Sequence, residues 1–341
     1  MHRPLRLTID RSAMQANWRW LQGRAGVTAG AAIKADGYGL GARESMDALI
    51  QAGCRDFFVA TWAEAEALGP VAQELDVVVL HGVGPDDSEA PRMSARPCLN
   101  TPEQVSRWKE IGAERPSDVM IDTGMNRLGL RPTEIDVLEG LTIDTLHSHL
   151  ACADEDSAMN GMQLERFRAV ASAVPAKRYA LCNSAGIGLG RDYSLDLVRP
   201  GISIYGGVQR PEFIDDIRQV VRVEAQIVQR RTIPAGETCG YGATFHANED
   251  TEAAILNIGY ADGYLRGFSS RGSAFAGEYA LPVLGRVSMD LLAVGVGAAP
   301  ALKEGDWVEI DYELPSASRQ SGLSQYELLT TLGSRFERRW I

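Results

Sequence analysis

From residue 28 to about residue 207 the chain alternates short β-rich runs with helical segments, and this alternation limits the possible folds more than any other feature. The runs read "AGAAIK", "RDFFVAT", "LDVVVLHG", "ARPCLN", "SDVMIDTG", "TIDTLHSHL", "KRYALCNS" and "LDLVRPGISIYG". Helical signals lie between several of them. In "NTPEQVSRWKEIG", Thr101 suits the cap, Pro102 the first turn and Gln104 the capping box, with Val105, Trp108 and Ile111 on one stripe. "NGMQLERFRAVASAV" places Leu164, Phe167 and Val170 alike, and "DRSAMQANWRWLQG" predicts a helix ahead of the first run. Eight β runs joined by helical crossovers predict an α/β fold, a closed (β/α)8 TIM-type barrel. An open doubly wound sheet is the alternative that the same pattern leaves standing.

The period changes after about residue 220. In "VRVEAQI" apolar positions 221, 223, 225 and 227 alternate with polar ones, as in a half-exposed strand. "EAAILNIGY", "LPVLGRVSMDLLAVGV" and "DWVEIDYE" follow, and only Ser324 to Leu332 reads as helical. The expected organisation is therefore a barrel over 1–220 and a mainly β C-terminal domain over 221–341, with no low-complexity linker between them.

With 45 acidic against 34 basic residues, the formal charge is −11, which disfavours non-specific nucleic-acid binding and leaves a small molecule as the expected partner. No apolar run is long enough to span a bilayer, and "MHRPLRLTID" lacks the apolar centre of a secretory signal. Cys54, Cys98, Cys152, Cys182 and Cys239 are scattered without CxxC pairs. That odd set predicts neither a disulfide framework nor a metal site, and suits a reducing cytoplasm.

Barrel active sites gather at the carboxyl ends of the strands. Here those ends carry Lys34, His81, Asn100, Asp122 with Arg127, His149, Ser184, and Arg199 with Gly201. A lysine closing a buried strand among apolar groups and cations has a depressed pKa and forms a Schiff base with a carbonyl. Pyridoxal 5'-phosphate is a carbonyl cofactor held in this way; it also needs a phosphate site, a partner for its ring nitrogen and control of the substrate's α-proton. The loops after strands seven and eight, a frequent barrel phosphate site, read "CNSAGIG" and "RPGISIYGG". Ser184 offers a hydroxyl there, and Gly201 and Ile202 offer backbone N–H groups. Arg199 stands just before them. An arginine does not readily give up its proton, so it would leave a ring nitrogen as an acceptor and weaken the electron sink.

The segments "AAIKADGYGLG", "IDTGMNRLGL", "SHLACADE", "NSAG", "VRPGISIYG", "CGYGATF", "NIGYADGYLR", "GRVSMD" and "YELLTTLGSR" occur in order across both expected domains. On them the chain resembles the alanine racemases, fold-type III pyridoxal-phosphate enzymes, along essentially its whole length. The resemblance implies two-base interconversion of L- and D-alanine, with Lys34 as the Schiff-base lysine and one base and Tyr241 as the other. It implies Tyr38, Ser184, Gly201, Ile202 and Tyr326 at the phosphate, Arg199 at the ring nitrogen, and Arg127 at the phenolic oxygen and the substrate carboxylate. His149 would orient the tyrosine base, and Met289 and Asp290 would lie near the substrate. Tyr260 and Arg266 would line the access corridor. Because the two bases fall in different domains, the resemblance also implies a homodimer with composite active sites. D-Alanine would feed peptidoglycan synthesis in a bacterium.

The chain departs from the family pattern in places. Met120 stands where many members carry a lysine, often carbamylated, that holds the equivalent of Arg127. A thioether cannot do this, so an anion such as chloride is expected near Arg127 and Met120. Leu40 replaces a frequent histidine, Ser288 a frequent cysteine, and His81 and His147 match no family role and read as structural. A racemase of broader or different amino-acid specificity is the alternative reading. A decarboxylase of the same architecture is opposed by Arg199 and Tyr241, and a pyridoxal-phosphate carrier by the need for no such second domain.

Overall fold

The computed structural model describes residues 3–112 and 115–341. The chain divides into two compact units. One is Met14–Arg218; the other joins the segment ending at Ala13 to Gln219–Ile341.

In Met14–Arg218, seven parallel strands run in the order Ala31–Ala32, Asp56–Val59, Asp76–Val79, Arg96–Leu99, Ser117–Met120, Ile143–His147 and Arg178–Ala180. An eighth, Leu197–Val198, pairs in parallel with Thr28–Ala29. Thr28–Ala29 and Ala31–Ala32 are one strand read through Gly30, whose N–H donates to Val198 O at 2.9 Å. On the other flank, Arg199 N–H donates to Cys182 O at 2.8 Å and Asp196 N–H to Tyr179 O at 3.1 Å. The sheet thus closes on itself, and the closed barrel is the arrangement adopted rather than the open sheet. Gly30 is required by close approach: a Cβ there would lie 2.7 Å from Phe58 Cε2 and 2.9 Å from Asp56 O.

The strands read as near-continuous apolar runs because both faces are covered, with Phe57, Phe58, Val79, Leu99, Val119 and Leu146 buried. The helix Pro102–Ile111 starts where the sequence predicts, Thr101 Oγ1 accepting from Gln104 N–H at 3.2 Å. Gln104 Oε1 returns the bond to Asn100 N–H at 2.8 Å, one residue before the expected box position. Ala158–Ala173 is capped by Ser157 and buries Leu164, Phe167 and Val170.

One layer of the barrel is not apolar. Arg96 donates to Asp118 at 2.7 Å, to Asp144 at 3.0 Å and to Asp76, while Arg178 donates to Asp56 at 2.6 Å and to Asp144 at 2.8 Å. Arg178 and Asp56 lie on non-adjacent strands, as do Arg96 and Asp144, so these two pairs reach across the barrel interior.

The second unit is built on the long strand Val221–Ile233, whose first seven residues alternate in burial as predicted. Leu5–Ile9 pairs antiparallel with it and parallel with Glu337–Trp340. The first strand thus falls in the same compact unit as Gln219–Ile341. Trp307–Ile310 and Thr251–Leu256 also pair with the long strand, and Leu292–Gly295 extends the sheet. The helix Gln325–Thr330 has the capping box Ser324 and Glu327. A second helix, Leu314–Ser321, escapes the sequence reading: its serines carry no apolar periodicity, and it is held by Glu313 capping Ser316 N–H and by burial of Leu314 and Ala317.

Candidate active site

Lys34 follows the first barrel strand, and the chain after it takes an unusual path. Ala35, Asp36, Gly37 and Tyr38 have φ of 54°, 52°, 61° and 56°, and Gly39 has φ 85°, so the segment winds as one left-handed turn. Glycine tolerates this, whereas the three non-glycine residues cost about 1–2 kcal/mol each. The turn is held from outside. Glu64 accepts from Ala35 N–H at 2.8 Å and from Ala60 N–H at 2.6 Å, and Asp36 Oδ1 accepts from Ala42 N–H at 2.8 Å. Glu64 lies on Trp62–Ala67, capped by Thr61, and carried no signal in the sequence. Burial, followed by the charge of Arg127, lowers the Lys34 pKa; Glu64 opposes them, and Arg199 adds to the lowering. A higher fraction of free amine at neutral pH is the state a nucleophilic or proton-abstracting lysine needs.

Tyr38, at the end of the turn, is buried and stacks on Tyr205 with ring centroids 4.7 Å apart. Its ring fills the place of a missing side chain: a Cβ on Gly201 would fall 2.1 Å from Tyr38 Oη. Ser184 Oγ accepts from Gly201 N–H at 2.9 Å, linking the loops after strands seven and eight. Ile202 and Ser203 follow, both buried, and Ser203 Oγ has no hydrogen-bond partner. Lys34, Tyr38, Ser184, Arg199, Gly201 and Ile202 are thus gathered at the carboxyl end of the barrel, as predicted.

Arg199 is 7% exposed. Its Nη2 donates to Ser148 O at 2.6 Å and lies 3.5 Å from His149 Nδ1, and its Nη1 is 3.0 Å from His147 Nδ1. His147, read from the sequence as structural, is fully buried and bonds directly to the side chain of Arg199. Two-residue spacing from His149 in the extended run "TIDTLHSHL" was the available signal, because in extended chain it places both side chains on one face. Burial, followed by the Arg199 charge, holds the His149 pKa down to about 3 and the His147 pKa down to about 4, so both imidazoles are neutral at pH 7.

Arg127 lies in an exposed stretch of the loop after Ser117–Met120. Asp122 Oδ1 shapes that loop by accepting from Gly124 N–H at 2.8 Å and Asn126 N–H at 3.1 Å. Met120 is buried.

The remaining predicted residues belong to the second unit. Tyr260 N–H donates to Ser288 O and Ala261 N–H to Met289 O, both at 3.0 Å, which brings Tyr260 beside Met289 and Asp290. Arg266 lies over the Tyr260 ring at 5.3 Å. Asp290 accepts from Arg335 at 2.7 Å, and Arg335 is itself clamped by both oxygens of buried Asp262, at 2.6 and 2.7 Å. Tyr241 is 68% exposed on a turn between Gly240 and Gly242, both at positive φ. Tyr326 is 41% exposed on Gln325–Thr330.

Profiles of two domains match the chain: the alanine racemase N-terminal domain over residues 9–209 and the alanine racemase C-terminal domain over residues 220–340. The chain belongs to the alanine racemase family. Alanine racemases are pyridoxal-phosphate-dependent isomerases, and the relatives span this chain almost completely. A catabolic alanine racemase of Agrobacterium fabrum is 40% identical over 98% of this chain and 92% of its own length. The biosynthetic alanine racemase of the same organism is 39% identical over 99% and 94%. The crystal structure of the Bartonella henselae alanine racemase, with covalently bound pyridoxal phosphate, superposes with a TM-score of 0.91 at 34% identity, covering 99% of both chains.

The residues at the barrel end fit the alanine racemase cofactor. A pKa-lowered lysine, a glycine whose bare Cα gives Tyr38 its place, and an unpartnered buried hydroxyl on Ser203 together offer an amine and acceptor-seeking groups to a phosphorylated aldehyde. Among the described residues no helix is long and apolar enough to cross a membrane, and no group of acidic, histidine and cysteine side chains is arranged to hold a metal ion.

Proposed function

We propose that this chain racemises alanine by a two-base mechanism in which Lys34 serves one face of the α-carbon and Tyr241 of the partner subunit serves the other. The observation that carries the proposal is the pKa-lowered Lys34 on its left-handed turn, in a chain that matches alanine racemases end to end. Pyridoxal phosphate, when bound, makes the α-hydrogen of the amino acid acidic enough to leave. Tyr38, Ser184, Gly201, Ile202 and Tyr326 would hold its phosphate, and Arg199 would donate to its ring nitrogen.

Arg127 would bind the substrate carboxylate and orient the α-hydrogen toward a base. The Lys34 amine then takes the proton from one face while the Tyr241 hydroxyl supplies one to the other; the reverse reaction exchanges the roles. Neutral His149 would orient the tyrosine. Met289 and Asp290 would bound the substrate, and Tyr260 its approach. Because the Met120 thioether offers Arg127 no strong acceptor, a bound anion such as chloride would steady the guanidinium. Removing chloride should then raise the KM for alanine. The family relationship and the scattered, unpaired cysteines support action in the cytoplasm, with D-alanine passed to peptidoglycan synthesis.

Tyr241→Phe should bind cofactor normally yet lose most turnover, with unequal effects on the two directions. Incubating the enzyme with a panel of L-amino acids and following optical activity tests both claims. Full racemisation by Tyr241→Phe would sink the two-base assignment, and equal turnover of other amino acids would replace alanine by a broader substrate class.

A further inference from the structure

Arg199 carries its charge deep in the barrel, yet among the described residues no carboxylate bonds to it. Its three neighbouring acceptors, His147 Nδ1, Ser148 O and His149 Nδ1, are neutral. The nearest countercharge is one residue further away. His147 Nε2 lies 2.7 Å from Asp118 Oδ2, and both side chains are fully buried. The guanidinium has only donors, so His147 Nδ1 must accept and its proton must sit on Nε2, donating to Asp118. The other Asp118 oxygen accepts from Arg96 Nε at 2.7 Å.

The three groups come from three different strands: Asp118 from Ser117–Met120, His147 from the end of Ile143–His147, and Arg199 from the residue after Leu197–Val198. Two fixed acceptors on different Arg199 nitrogens, His147 Nδ1 and Ser148 O, define the guanidinium plane. We propose that Asp118 and His147 form a positioning dyad that holds Arg199 as an oriented, cationic donor for the cofactor ring. The inference rests on Arg199 facing the ring nitrogen. Its physical content is that a carboxylate placed directly on Arg199 would compete for the hydrogens the ring needs. An interposed neutral imidazole accepts one hydrogen, relays the attraction of Asp118 and leaves the cation oriented. Asp118 in turn is held by Arg96, so the chain of bonds ends on the polar layer of the barrel.

The test uses the full-length protein and the variants His147→Gln, His147→Met and Arg199→Lys. Glutamine can accept from Arg199 through its carbonyl and donate to Asp118 through its amide; methionine fills similar volume and can do neither. Ring nitrogen NMR of the five histidines, with and without cofactor, assigned by loss of signals in His147→Gln, should show His147 neutral and protonated on Nε2. A charged ring or an Nδ1–H tautomer overturns the dyad. His147→Met should shift the absorbance of the bound cofactor and speed its release about tenfold, while His147→Gln stays within about threefold of the parent. If His147→Met matches the parent in both, or if both variants lose function equally in step with thermal stability, the role is structural only and the inference fails. Arg199→Lys separates the underlying reading: should it leave absorbance and release unchanged, Arg199 is not the ring partner. Should it change them while His147→Met does not, only the dyad is lost. If His147→Met fails to fold, the tautomer and the His147→Gln comparison still decide.

Discussion

The role proposed for Lys34 depends on residues that do not react. Its position is set by a left-handed turn, and that turn is tied down by the two oxygens of Glu64 on Ala35 and Ala60. Glu64→Gln leaves one acceptor for two N–H groups and removes a charge that favours the Lys34 ammonium. The Lys34 pKa should therefore fall further, and its reactivity toward a carbonyl reagent should reach half-maximum at lower pH than in the parent; an upward or absent shift would deny Glu64 this role. Gly201→Ala should act on the neighbouring residue. Its Cβ would collide with Tyr38, which cannot swing aside because it is buried against Tyr205. Cofactor affinity measured by equilibrium absorbance should drop about tenfold or more, with the barrel still folded. Lys34 and Gly201 were legible in the sequence as strand-end residues, and Tyr38 through the family resemblance of "AAIKADGYGLG". Glu64 and His147 were not: a capped helix glutamate and a strand histidine look ordinary until the fold shows which atoms they face.

Elements were readable where local chemistry is strong. The Thr101 cap falls where predicted because its side chain satisfies a helix N–H group within three residues. Leu314–Ser321 was missed because a Pro- and Ser-rich octet has little intrinsic helicity, and burial of Leu314 and Ala317 makes the difference. Closure of the barrel depends on one small residue. Gly30→Ala would force Phe58 or the backbone of Asp56 to move, costing about 1–3 kcal/mol by overpacking. Thermal melting should record that loss, and an unchanged midpoint would show that the first strand can shift freely.

At the scale of the whole molecule, the charged layer inside the barrel makes the fold acid-sensitive. His147 titrates near its ordinary 6.5 when unfolded but about 4 when folded, so the unfolded chain binds the extra proton between those values. Stability therefore falls as pH drops from about 6.5 toward about 4, by on the order of 3 kcal/mol from this residue. Asp144, held down to about 2 with Arg96 and Arg178 favouring its carboxylate against burial, adds a further loss as pH falls below 3.8. Denaturant unfolding of the parent and of His147→Gln should show the variant flatter from pH 7 to pH 4.5; parallel curves would remove His147 from the account. The composite sites proposed across a dimer make a separate prediction. Mixed refolding of Lys34→Ala with Tyr241→Phe chains should restore about a quarter of parental activity, since half the dimers are mixed and each carries one intact site of two. No recovery would argue that both bases come from one chain.

By itself the sequence determined the alternation of strands and helices, the switch of period near residue 220, and which reactive side chains end up at strand termini. Those properties are written in spacing and in residue type, which act over a few residues at a time. Only the tertiary structure decided that the first strand leaves the barrel to pair with Val221–Ile233 and Glu337–Trp340. It alone turned "KADGY" left-handed under Glu64, and it alone set Asp118 and His147 behind Arg199. Each of these joins atoms separated by about thirty to more than three hundred positions along the chain, or sets a backbone hand that neighbouring residues disfavour. Such choices are made by packing and hydrogen-bond satisfaction over the whole fold, and local pattern carries no record of them.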